Sequence, residues 1–117
     1  MITFKQYLNE NTSPMTGKQL EGAIGKRALR SMLSHPYWKD RMAHYSDHIF
    51  THTKTPAGDH EVDSYPYEKH MVKNGRLHSP HFVRFQFNKH KVDNAHLFVQ
   101  RAKGEEGPRY TYVKSHK

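Results

Sequence analysis

The most regular hydrophobic pattern lies in the last third of the chain. Between His81 and His90, Val83, Phe85 and Phe87 alternate with Arg84, Gln86 and Asn88, and a period of two places the two sets on opposite faces of a strand. Val92-Asp93-Asn94 reads as a turn. Beyond it, Ala95, Leu97 and Val99 alternate with Asn94, His96, Phe98 and Gln100, and the turn-rich KGEEGP precedes RYTYVKS. These segments predict a three-stranded antiparallel meander.

Upstream, the spacing becomes helical. Phe4, Tyr7 and Leu8 fall at i, i+3 and i+4, with Thr3 and Gln6 placed to form a capping box. Asn11-Thr12-Ser13-Pro14 breaks this segment. Ser13 or Thr16 then caps a second helix to about Leu33, with Leu20, Ala23, Ile24, Ala28, Leu29, Met32 and Leu33 as its apolar positions. Gly22 and Gly25 each cost about 1 kcal/mol against Ala in a helix interior, so a bend or two shorter pieces is expected. Pro36 suits the first turn of a third helix, whose stripe is Trp38, Met42, Tyr45 and Ile49. IFTHTK and HEVDSY, flanking a Pro56–Asp59 turn, read as a hairpin, with continuation of the helix to His52 as the alternative. Pro66 is expected to open a short helix closed by Gly75. The fold class is therefore α+β, with N-terminal helices packed on one face of an antiparallel sheet that ends in the meander. Residues 1–12 form an amphipathic segment ahead of a single domain, residues 13–117.

Composition adds limits. The 117 residues suit one domain. Only 34% are hydrophobic, and the mean hydropathy is −1.01, but seven Tyr, six Phe and one Trp supply the bulk for an aromatic-rich core. The absence of Cys excludes disulfides, a thiolate nucleophile and Cys-type zinc sites. No apolar run approaches the roughly 18 residues of a membrane span, and no signal-peptide core opens the chain, so no membrane partner is expected.

Charge changes the picture most. The formal net charge is +8, and the eleven His can add to it as pH falls. Lys69, Lys73, Arg76, Arg84, Lys89 and Lys91 fall in a block that holds no acidic residue after Glu68 until Asp93. Phosphate oxygens are the commonest target of such a pattern, which points to nucleic acid; an acidic protein is the other partner it fits. A second reading makes the polar face of the meander a metal-independent ribonuclease site. There His90 and His96 would serve as base and acid, and Arg84 would stabilise the charge developing on phosphorus. Helices followed by a sheet with His, Arg and Lys on its polar face resemble barnase and RelE-type ribonucleases in layout, without a catalytic motif at matching spacing. A third reading is a structural protein that packs on other subunits through its aromatics. Phe82 and Phe98 fall on the polar face, where they can stack on bases or meet another part of the protein. His44, His48 and His52 recur every four residues, a metal-competent spacing on a helix, but without the Glu of HExxH they read instead as histidines packing beside Tyr45 and Trp38. No metal or cofactor is expected, and binding is favoured over catalysis.

The first ten residues, with Phe4, Lys5, Tyr7, Leu8 and Glu10, resemble the N-terminal capsid-targeting segment of internal head proteins of tailed bacteriophages. The resemblance covers only these ten residues, and residues 11–117 resemble no family. It implies a virion-associated accessory protein, located in the virion or the host cytoplasm, in which Phe4, Tyr7 and Leu8 dock on phage head proteins; the acidic partner is then a host protein, and the structural reading a structural virion protein.

Overall fold

A computed structural model describes residues 14–73, 76–100 and 110–116. The helices are α1 (Gly17–Ile24), α2 (Lys26–Leu33) and α3 (Pro36–Arg41). The strands of the main sheet are β1 (Asp47–Lys54), β2 (His60–Tyr67), β5 (His81–Asn88), β6 (Lys91–Gln100) and β7 (Tyr110–His116). A 3-10 turn (Lys69–Met71) and the two-residue strands β3 (Val72–Lys73) and β4 (Arg76–Leu77) lie between β2 and β5. The α+β class, the N-terminal helices and the antiparallel sheet are as the pattern predicts. The spatial order β1-β2-β5-β6-β7 is antiparallel throughout.

The break in the long helical pattern is sharp. Thr16 caps α1 with a complete capping box: its hydroxyl accepts from Gln19 N, and the Gln19 side chain accepts from Thr16 N at 2.8 Å. Gly25 ends α1 at φ 89, a left-handed value that L side chains rarely adopt. α2 therefore starts in a new direction, and both helices present apolar stripes to the sheet. Leu20, Ile24, Ala28 and Met32 pack with Trp38, Met42, Phe50, Val62, Val83, Phe85, Phe87, Ala95 and Leu97. Val83, Phe85 and Phe87 face this core as their alternation requires.

Three expectations are overturned. The third helix ends at Arg41 rather than reaching Ile49, because Ile49, Thr51 and Thr53 belong to a β-branched strand whose main chain pairs with β2. Trp38 and Met42 enter the helix-side core, whereas Tyr45 and Ile49 pack on the opposite face of the sheet. Pro66 opens no helix. It is buried within β2, opposite His48; β5 pairs only with Glu61–Ser64, so no ladder on that side needs the N–H that proline lacks. The meander turns at Lys89-His90, with Lys91 already in β6, rather than at residues 92–94.

The second face carries its own small core. Tyr65, Met71, Leu77 and Phe82 are buried there, with Phe98 and Tyr110 against them. Phe82 and Phe98 stack at 4.6 Å between ring centroids, 5° from parallel. The sheet is thus covered by helices on one side and partly by the β3–β4 ribbon on the other.

Candidate nucleic-acid interface

Antiparallel pairing decides where the basic block goes. β2 runs against β5 with Glu61 opposite Gln86 and Ser64 opposite Val83, so the turns at residues 55–59 and 89–90 share one end of the sheet. The Lys89 main-chain N–H donates to Asp59 Oδ1 across that end at 3.4 Å. Lys69 and Lys73 follow the other end of β2, roughly 20 Å away at about 3.3 Å per strand residue. The acid-free stretch of sequence is therefore two patches. Arg76 lies in β4, and its side chain is outside the described residues, as are Phe4, Tyr7 and Leu8.

Arg84 belongs to neither patch. Its guanidinium makes a two-pronged ion pair with Asp63, Nε to Oδ1 at 2.8 Å and Nη2 to Oδ2 at 3.1 Å, and Glu61 Oε1 lies 3.6 Å from Nε. Burial pushes the Asp63 carboxyl up from the carboxylate range, and the guanidinium pulls it back. Arg84 also sits over the Phe98 ring at 5.1 Å. Two carboxylates around one guanidinium leave this part of the sheet with no surplus positive charge. The register sets His96 directly opposite Arg84, whereas His90 sits in the exposed turn past Asn88, four strand residues or about 13 Å along β5. Arg84 and His96 are brought together, and His90 is not.

The end carrying Lys89 gains partners that lie far away in sequence. α2 crosses the start of β6, fixed there by Val92 N donating to Ser31 Oγ at 2.9 Å. Between them runs a groove of about 450 Å³ lined by Arg27, Asn88, Lys89, His90, Lys91, Val92 and Asp93. An adjoining hollow of about 410 Å³ adds Arg30, Ser31 and Ser34. Among the described residues, Arg27, Arg30, Lys89 and Lys91 have no carboxylate within ion-pair distance. Asp93 is the one acidic side chain in the lining.

Lys89 occupies a left-handed position, φ 58. That conformation costs an ordinary L residue about 1 kcal/mol and suits Gly or Asn. A lysine there lines the groove at a cost that Gly or Asn would avoid. Arg27 and Arg30 were missed because they precede the acid-free block by about forty positions. The available signal was KRALR in the second helix: residues three apart share a helix face.

The histidines expected to share a helix do not. His44 lies in the turn before β1, against Tyr45 at 4.4 Å between centroids. His48 and His52 are strand residues. His48 packs on Trp38 at 4.6 Å and bonds the Met42 carbonyl at 2.6 Å, and His52 Nε2 meets His60 Nδ1 at 2.8 Å across the hairpin. Among the described residues no group of three or more His, Asp or Glu side chains is placed to hold a metal ion, and no helix is long and apolar enough to cross a membrane. The chain matches no family model, no curated protein and no solved structure.

Proposed function

We propose that this protein is a small basic accessory protein of a tailed bacteriophage, virion-associated, that binds nucleic acid through the groove between α2 and the β5–β6 turn. The observation that carries the binding reading is the convergence of Arg27, Arg30, Lys89 and Lys91 on one concave surface without carboxylate partners among the described residues. Cations held apart from counter-charges are available to phosphate oxygens, and a groove lets several engage one backbone. Ser31, Ser34 and Asn88 add uncharged polar groups to the lining. None of these groups forms a base-reading array, so the expected recognition is of backbone rather than sequence. Virion association rests on the resemblance of residues 1–10 to capsid-targeting segments.

Fluorescence anisotropy with labelled single-stranded DNA, duplex DNA and RNA of mixed sequence tests the binding reading. Affinity is expected to be similar across sequences and to weaken steeply between 50 and 200 mM salt. No binding to any of the three at 50 mM salt overturns it. Mass spectrometry of purified particles tests association: absence of the protein from intact virions overturns that part alone.

A further inference from the structure

The open half of the second sheet face holds a chain of hydrogen bonds whose direction is fixed at one end. Glu61 faces Arg84, and a carboxylate only accepts. Gln86 must turn its amide nitrogen to Glu61, and Nε2 donates to Oε2 at 3.0 Å. The Gln86 carbonyl oxygen then faces His96 Nε2 at 2.9 Å and can only accept. A neutral imidazole with its proton on Nε2 leaves a lone pair on Nδ1. The group facing that lone pair is the Ser115 hydroxyl, which therefore donates to it. The remaining capacity of Ser115 Oγ is met by the Tyr112 hydroxyl at 2.7 Å, which must be the donor of that pair. Every member is satisfied in one sense only, from Tyr112 through Ser115, His96 and Gln86 to Glu61.

An exposed hydroxyl donating to an imidazole that a third group holds in one tautomer is the arrangement of an activated serine nucleophile. We propose that Ser115 is a nucleophile for acyl transfer, with His96 as its general base, and that the site takes small carboxylic esters. Phe98 and Tyr112, edge to face at 5.8 Å, give the acyl group an aromatic wall. Ser115 Oγ bonds to the ester carbonyl carbon while its proton passes to His96 Nδ1. The carbon–oxygen bond to the leaving alcohol breaks, and the departing oxygen takes that proton. Water then attacks acyl-Ser115, losing its proton through His96, and the acid leaves with the serine hydroxyl restored. Gln86 and Glu61 touch no reacting atom. They are positioning residues.

A fluorophosphonate probe tests this on the full chain, since it forms the same bond from Oγ, to phosphorus, with fluoride leaving. Intact mass and peptide mapping are expected to show one adduct, on Ser115. Ser115→Ala, on an exposed edge strand, is expected to take no label, and His96→Gln to react about 100-fold more slowly. No adduct on the unmodified protein, an adduct on another residue, or an unchanged rate in His96→Gln overturns the proposal.

Discussion

Replacing Arg27 and Arg30 together by Ala separates a groove that holds nucleic acid from a generally basic surface. The double substitution takes the formal charge only from +8 to +6, so a diffuse attraction weakens little. The groove loses two of its four unpaired cations. For duplex DNA, the slope of log affinity against log salt is about −0.9 for each phosphate neutralised, so four contacts give about −3.6 and two about −1.8. Between 50 and 200 mM salt this is a loss of about 150-fold for the parent and about 12-fold for the variant. The parent contrast is the replacement of Lys69 and Lys73 by Ala, with the same charge change at the opposite end of the sheet. Anisotropy titrations at four or five salt concentrations give the three slopes. The groove variant is expected to have half the parental slope, and the Lys69/Lys73 variant the parental one. Equal slopes in the two variants refute the groove as the binding surface, whatever the absolute affinities.

Other consequences concern the scaffold. Lys89→Asn is expected to weaken DNA binding while leaving stability unchanged or up to about 1 kcal/mol higher, because Asn tolerates the φ 58 conformation; urea titration beside anisotropy reads both. Gly22→Ala and Gly25→Ala should have opposite signs by the same measurement. A methyl at Gly22 meets no atom within 4 Å on a helix and should stabilise by about 1 kcal/mol, whereas Gly25 at φ 89 should lose about as much. Asp63→Ala strips Arg84 of its two-pronged partner and is expected to cost about 1.5–3 kcal/mol in thermal or urea unfolding, with a double substitution including Arg84→Leu recovering part of it. Burial pushes His35, His52 and His81 below the usual imidazole value of 6.5, with His60 adding to the effect at His52. The unfolded chain then binds more protons than the native state as pH falls through 6.5, so stability is full above that pH and lost below it. The urea midpoint should fall between pH 7 and pH 5, and a His52→Asn variant should show a smaller fall; a midpoint constant over that interval contradicts the assignment.

The parts legible in the sequence were those in which a local period and a tertiary role coincide. The alternation from Val83 to Asn88 is a local property that also faces the core, and Thr16, offered with Ser13 as the cap of the second helix, caps α1 through partners within four residues. Trp38, Met42, Tyr45 and Ile49 show the failure of the same reasoning. Their spacing fits one helix face, yet it also arises when a short helix and a following strand feed opposite sides of one sheet, and only the pairing of β1 with β2 separates the cases. The candidate binding surface fails in a related way. Charge counted along the chain measures proximity in sequence, whereas a field adds over distance in space. The antiparallel hairpins carry Lys69 and Lys89 to opposite ends of the sheet, the Asp63 carboxylate takes Arg84 out of the positive sum, and α2 delivers Arg27 and Arg30 from outside the block. Lys89, His90 and Lys91 stay together at one end, because a two-residue turn keeps sequence neighbours adjacent, and Lys69 and Lys73 stay together at the other. The same turn holds Lys89 in a left-handed conformation: a position that chain geometry favours for Gly or Asn carries a cation instead, at a cost that neither period nor charge counting registers.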